Sequence, residues 1–358
     1  MLEESYIDLK IKNRVISIKE LHKALMKCKK SVLWKDSVAN FHSHGLMRCY
    51  KLKKRLENGT YKISKYINFT IYEPKKREIV STRFTDRVFQ RSLCVNYLTH
   101  EIQKDFIEEN YACQVGKGTH KAIKGFIRHL HSFVEEHGLN GYILKCDIHD
   151  YFGSTLHSVA KSSTDYVRDS WAKEHLHNII DSFNGGNDPF KGMGLGSEIT
   201  QSVQLAVLDK MDKLISKELG VIHYIRYMDD FYLIHESKEY LQHCLKCIMN
   251  YMEERKLELS PNKTKISKLK QPSHFLGFSY KVNENGKISM KVLPEKIKRN
   301  KRKLRKLVIQ LKLSREEVDK IFQCMLAHMK KSNNRSQVCK MIRYYENLWK
   351  ERNHLWNS

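Results

Sequence analysis

Proline is scarce in this chain, five in 358 residues, and no low-complexity tract is present, which argues against long disordered linkers. No apolar run approaches the roughly 20 residues that cross a bilayer, so an integral membrane protein is not expected. The first residues, Met1-Leu2-Glu3-Glu4-Ser5, lack a basic segment followed by an apolar core. No signal peptide is therefore expected, and the location is read as cytoplasmic. Nine scattered cysteines, an odd number, fit free thiols in a reducing compartment rather than a disulfide framework. Cys244-Leu245-Lys246-Cys247 has zinc-ligand spacing, but it has no second pair and sits in helix-like sequence. Acid is short too: 40 Asp plus Glu face 65 Lys plus Arg, a net charge of +25. An ordinary metabolic enzyme does not need that excess. It implies a polyanionic partner, nucleic acid ahead of an anionic membrane surface. With 41% hydrophobic residues, the chain can still bury a sizeable core in two or three subdomains.

The most informative stretch is His223-Tyr224-Ile225-Arg226-Tyr227-Met228-Asp229-Asp230-Phe231-Tyr232-Leu233-Ile234-His235. Two β-branched and aromatic runs flank paired carboxylates, which reads as a hairpin with acids at its tip. Aspartate suits turns in general, but these flanks are too apolar for a solvated edge. Adjacent acids repel unless a cation neutralises them, and Mg²⁺ or Mn²⁺ is the usual partner. A third carboxylate and a basic channel should then lie elsewhere. Gly141-Tyr142-Ile143-Leu144-Lys145-Cys146-Asp147-Ile148-His149-Asp150-Tyr151-Phe152 supplies a candidate, an apolar strand delivering Asp147, with a bulky aromatic five residues on. A helix-capping role for Asp147 is the alternative.

Other segments are read in order. Residues 1 to about 60 look helical and basic, with Leu21, Leu25 and Met26 on one face, a solvated or RNA-facing extension. The alternation from Ile67 to Val80 suggests two strands around Glu73-Pro74-Lys75-Lys76-Arg77, followed by a helix through Arg87, Val88, Gln90 and Leu93. Such a basic tip is either solvated or grips a triphosphate. Tyr111-Ala112-Cys113-Gln114-Val115-Gly116-Lys117-Gly118-Thr119-His120 lacks the P-loop frame and is expected as a flexible loop approaching a phosphate or template base. Lys191-Gly192-Met193-Gly194-Leu195-Gly196-Ser197 opens a helix whose apolar positions run from Ile199 to Ile215 and stop at Gly220. A second amphipathic helix is expected over Lys238 to Lys256, then a strand and turn over Leu257-Glu258-Leu259-Ser260-Pro261-Asn262-Lys263. Phe275-Leu276-Gly277-Phe278-Ser279-Tyr280 and Lys287-Ile288-Ser289-Met290-Lys291 bracket the turn Asn285-Gly286. Residues 281–358 hold 21 Lys plus Arg against 7 Asp plus Glu. That asymmetry suits helices laid along a nucleic-acid backbone.

Taken together and in this order, these segments resemble the reverse transcriptases. The fingers run from Glu73 to Arg77, Asp86-Arg87-Val88 and the Tyr111 loop are most similar to bacterial enzymes of diversity-generating retroelements and phage defence. Group II intron enzymes are more distant, and no maturase, endonuclease, RNase H or integrase segment is expected. The resemblance implies an α+β right-hand polymerase, with an antiparallel palm sheet carrying the Tyr227-Met228-Asp229-Asp230 hairpin. Residues 1–65 would be an N-terminal helical extension, 66–140 fingers, 141–280 palm with a fingers insertion around 160–195, and 281–358 a helical thumb.

It also implies roles. Asp147 and Asp229, with Asp230 supporting and the Ile148 carbonyl nearby, would bind two Mg²⁺ ions, for which Mn²⁺ can substitute. Lys75 and Arg77 would hold the triphosphate, Phe152 would exclude a ribose 2′-hydroxyl, and Lys263 would protonate pyrophosphate. Gly196 and Gln201 would border the nascent base pair, and Phe275, Leu276, Gly277 and Phe278 would form the primer grip. Gly194 and Thr200 depart from relatives that carry Pro and Ser there. The implied partners are an RNA template, an RNA or DNA primer, deoxynucleoside triphosphates, a noncoding RNA and an accessory protein, with no membrane. Two alternatives stay open: a template-independent or protein-primed DNA polymerase, and an RNA-binding scaffold with a silent palm.

Overall fold

The computed structural model describes residues 2–72, 76–183 and 188–357. The chain opens with four helices, Leu2–Val15, Ile18–Cys28, Asp36–Ser43 and Gly45–Glu57. The Ser17 hydroxyl caps the second by accepting from the Glu20 amide at 3.2 Å. Leu21, Leu25 and Leu52 are buried in one core with Val88, Phe89 and Leu93 of the helix Phe84–Leu93, and with Ile199 and Val203 of the helix Glu198–Val207. The amphipathic pattern read at Leu21 and Leu25 thus marks a packed face.

Strands β1 (Ile67–Ile71) and β2 (Arg77–Ser81) form an antiparallel ribbon, pairing Ile67 with Ser81 and Ile71 with Arg77. After the helix Thr119–His137 come β3 (Tyr142–Asp147), β4 (His223–Tyr227), β5 (Asp230–His235) and β6 (Lys265–Lys268). They make one antiparallel sheet in the order β4-β5-β3-β6. Side chains alternate across it with period two. Ile143, Tyr232 and Ile234 face a core containing Phe126 and Leu130 of the helix Thr119–His137. Leu144, Phe231 and Leu233 face Leu241 and Ile248 of the helix Lys238–Glu254 on the other side. Cover on both faces explains why these strands read as near-continuous apolar runs.

A second sheet of β7 (Ser273–Phe275), β8 (Phe278–Val282) and β9 (Ile288–Val292) packs on the first core through Phe275, Phe278 and Tyr280. The C-terminal helices Pro294–Arg305, Arg315–Met329 and Arg335–Asn357 continue that core through Leu304, Phe322, Leu326 and Tyr345. Ser314 and Glu317 form a reciprocal capping box that starts the middle helix. Helices and antiparallel sheets in this arrangement make the α+β right-hand polymerase fold.

Two expectations need correction. The helix anticipated from Ile199 to Gly220 breaks at Leu208 into Glu198–Val207 and Asp209–Lys213, then widens into a π-type turn over Leu214–Glu218. The break leaves Asp212 fully buried against Arg226 of β4. The strand placed at Leu257–Leu259 reduces to a single bridge between Leu259 and Ile148. Pro261 has no amide to extend the ladder, and Ser260 instead accepts from the Thr264 amide in a turn that delays the strand until Lys265. In the Tyr111 loop, Lys117 turns inward and fastens the segment, its Nζ donating to the carbonyls of Ile107, Glu108 and Asn110. The same segment pairs with the outer edge of β4, Tyr111 N to Arg226 O at 3.0 Å and Arg226 N to Glu109 O at 3.0 Å.

Candidate active site

Tyr227 pairs with Asp230, so the β4–β5 turn consists of Met228 and Asp229 alone. Met228 has φ +58, a left-handed conformation that costs a non-glycine residue about 1 kcal/mol or more. Arg226 holds it there. Its guanidinium is fully buried, donates to the Met228 carbonyl at 3.0 Å, and pairs with Asp212 through Nε at 2.6 Å and Nη2 at 2.5 Å. The Tyr224 hydroxyl completes the set by donating to Asp212 Oδ1 at 2.6 Å. Neither Arg226 nor Asp212 stood out in the sequence. An arginine within an apolar strand was the only available signal.

Asp147 ends β3 and lies directly across the ladder from Asp230, on the same face of the sheet. The Ile148 amide donates to the Asp229 carbonyl at 3.3 Å, which brings the strand end against the turn. All three carboxylates therefore converge. Burial pushes the Asp229 carboxyl above its ordinary range, with Asp147 adding repulsion. Burial likewise pushes Asp230 up to about 7, against the pull of Lys145. Lys145 Nζ lies 3.6 Å from Asp230 Oδ1 and donates to the His274 carbonyl at 3.0 Å. Asp230 Oδ1 is out of solvent with no hydrogen bond. Lys263 Nζ meets Asp147 Oδ1 at 2.5 Å. Hard oxygen donors, mutual repulsion and an orphaned carboxylate oxygen fit divalent magnesium or manganese.

Beside the acids lies a cleft of about 570 Å³, lined by Arg77, Ile148, Phe152, Gly194, Asp229 and Lys263 among others. Lys76 lines it as well, whereas Lys75 lies outside the described residues. Asp150 adopts φ +40, and a side chain at Gly153 would collide with its carboxylate. The Phe152 carbonyl accepts from the Met193 amide at 2.7 Å, tying the aromatic segment to the glycine loop. At Gly194 an added Cβ would strike the Phe183 ring, which explains why proline is absent there. Thr200 donates to the Gly194 carbonyl at 2.8 Å, a bond that serine could make equally.

Gly196 and Gln201 line a different cavity, of about 650 Å³, together with Arg87, Gln90, Arg91 and Gln103. The loop Gly192–Gly196 separates it from the cleft that holds Phe152. At the Phe275–Phe278 turn, Leu276 and Gly277 take φ +50 and +85 at the tip. Phe275 and Phe278 are 1% and 0% exposed and point into the core, so only the tip is open to a ligand. Lys296 and His328, in hydrogen-bond contact at 2.6 Å, sit against this turn and were not anticipated. Cys244 is buried in the apolar core and Cys247 only partly so, and among the described residues they join no cluster of potential metal ligands.

No curated protein sequence matches the chain. Among solved structures it is similar to apo telomerase from Candida tropicalis, at 10% identity and TM-score 0.48, over 69% of this chain and 53% of that one. It is also similar to telomerase from Candida albicans in complex with a fragment of telomeric RNA, at 11% identity and TM-score 0.48, over 77% and 55%. The chain thus spans about half the length of those proteins. Residues 73–280, more than half of the chain, match the family described as Reverse transcriptase (RNA-dependent DNA polymerase). Those residues contain the three carboxylates, the cleft and the hairpin, and the chain belongs to the reverse transcriptase family.

Proposed function

We propose that this protein copies an RNA template into DNA, serving a retroelement or a phage-defence system. The observation that carries the reading is the convergence of Asp147, Asp229 and Asp230 beside a cleft lined by Arg77 and Phe152. Residues 66–140 act as fingers, 141–280 as palm and 281–358 as thumb, with 1–65 an N-terminal helical extension. The three carboxylates and the Ile148 carbonyl would hold two Mg²⁺ ions, or Mn²⁺. Bound there, the ions would acidify the primer 3′-hydroxyl and neutralise the triphosphate.

The remaining steps belong to side chains. Arg77 and Lys75 orient the triphosphate through fork-like and point-charge contacts. The Phe152 ring occupies the space beside the sugar and excludes a 2′-hydroxyl. Lys263, already directed at Asp147, donates its proton to the departing pyrophosphate. Gly196 and Gln201 border the templating base from their own cavity, and the Leu276–Gly277 tip supports the primer. The partners are template RNA, an RNA or DNA primer and deoxynucleoside triphosphates, with a noncoding RNA and an accessory protein in the cell.

The test is primer extension by purified protein on an RNA template with Mg²⁺ and each deoxynucleotide. Template-dependent products support the reading, and products formed without template indicate the template-independent or protein-primed alternative. No incorporation by the wild type supports a binding scaffold. Asp229→Asn should abolish incorporation while retaining RNA binding, and full residual activity would remove Asp229 from the site.

A further inference from the structure

We propose a second metal site, for one transition-metal ion of the Zn²⁺ class, held by Glu136, His137 and His223 at the end of the sheet away from the acids. The helix Thr119–His137 ends beside His223, the first residue of β4. The ligand atoms of the three residues all lie within 4.8 Å of one another. His223 Nε2 is 3.4 Å from Glu136 Oε2, and His137 Nε2 is 3.8 Å from the same oxygen. Ligands around tetrahedral zinc with bonds near 2.1 Å stand about 3.4 Å apart, so small side-chain rotations close the set.

The independent observation is the state of His223. It is 5% exposed, yet neither ring nitrogen has a hydrogen-bond partner. Burying an imidazole whose Nδ1 has no partner and whose Nε2 has only the long contact to Glu136 costs free energy that a coordinate bond through Nε2 would relieve. Surrounding contacts suit a ligand set. His137 Nδ1 faces Glu236 Oε2 at 3.2 Å, the carboxylate–histidine pairing that orients a metal-binding imidazole through its other nitrogen. Glu136 uses its second oxygen to accept from the Ser132 hydroxyl at 2.6 Å. The carbonyl end of a 19-residue helix adds negative potential. Two imidazoles and one carboxylate are borderline donors that favour zinc over magnesium, in contrast to the all-oxygen set at Asp147, Asp229 and Asp230.

Such an ion would fasten the helix Thr119–His137 to the base of the hairpin whose far end carries Asp229. Its effect is on stability, independent of whether the acids polymerise nucleotides. The test uses the full chain with any affinity tag removed, stripped with EDTA and titrated with Co²⁺ in excess Mg²⁺, so that the catalytic acids are covered. One equivalent should give the visible absorption of a four-coordinate site. Zn²⁺ should displace it and raise Tm by several degrees. Glu136→Gln and His137→Ala, both at exposed positions where folding is not at stake, should each lose the absorption. Absence of a spectrum at one equivalent overturns the site. So does a spectrum that survives both substitutions, or one that disappears instead in Asp229→Asn.

Discussion

Asp230 illustrates how a buried carboxylate strains the protein that carries it. Its ordinary pKa of 3.8 rises to about 7 in the fold, chiefly through burial. An acid raised in this way imposes no cost below pH 4, where it is protonated folded and unfolded alike. The cost grows between pH 4 and 7 and is complete above 7. In metal-free protein, Asp230→Asn should therefore leave stability unchanged near pH 4 and raise it at pH 8, by on the order of 1–3 kcal/mol after allowance for solvent screening. Thermal melts in EDTA across that range test it, and a loss of stability at pH 8 would contradict the assignment. Phe152 gives a second test at this scale, since its ring lines the cleft beside Asp229. Phe152→Ala should admit ribonucleoside triphosphates, with selectivity for deoxynucleotides falling by at least tenfold in competition assays. Unchanged sugar selectivity would remove its gating role.

The hairpin β4–β5 depends on a pairing that the sequence hides. Arg226, Asp212 and Tyr224 are fully buried together, and Arg226 steadies the left-handed Met228. Asp212→Ala would strand a buried guanidinium and should cost about 3–5 kcal/mol, read by denaturant unfolding. Arg226→Met leaves the Asp212 carboxylate buried without its cation and also removes the Met228 contact, so stability should fall on the same scale and polymerisation with it. Equal activity of Arg226→Met and wild type would show that the turn needs no support. The carboxylates, the strand that ends in Asp147, the Asn285-Gly286 turn and the amphipathic helices were legible because each is encoded within a dozen neighbouring residues. The break at Leu208, the inward turn of Lys117 and the Arg226–Asp212 pair were not. Lys117 turns onto carbonyls seven to ten residues back in a loop with no periodic pattern, and Asp212 has no local reason to be buried until β4 brings Arg226 to it. Phe275 and Phe278 show the same limit, because a pattern that marks a turn does not say which of its residues face the core.

At the scale of the whole molecule, one continuous core joins the sheet that carries the three carboxylates to the C-terminal helices. It runs from Ile143 and Tyr232 through Phe275 and Tyr280 to Leu304 and Leu326. The surplus positive charge of residues 281–358 is thereby held in a fixed relation to Asp229 instead of hanging on a linker. The helix Pro294–Arg305 turns Leu304 and Asn300 inward and exposes Lys298, Arg299, Arg302 and Lys303. If these cations follow a duplex backbone, each neutralised phosphate contributes about 0.9 to the slope of log affinity against log salt. Replacing all four with glutamine should reduce the magnitude of that slope by about 3.6 while leaving Tm nearly unchanged, because exposed substitutions cost little. Binding of a primer–template duplex measured between 50 and 200 mM salt, on the order of the range over which phosphate contacts dominate, gives the slope directly. An unaltered slope with weakened affinity would mean that these residues act by packing, and the basic face of this helix would not be where the duplex lies.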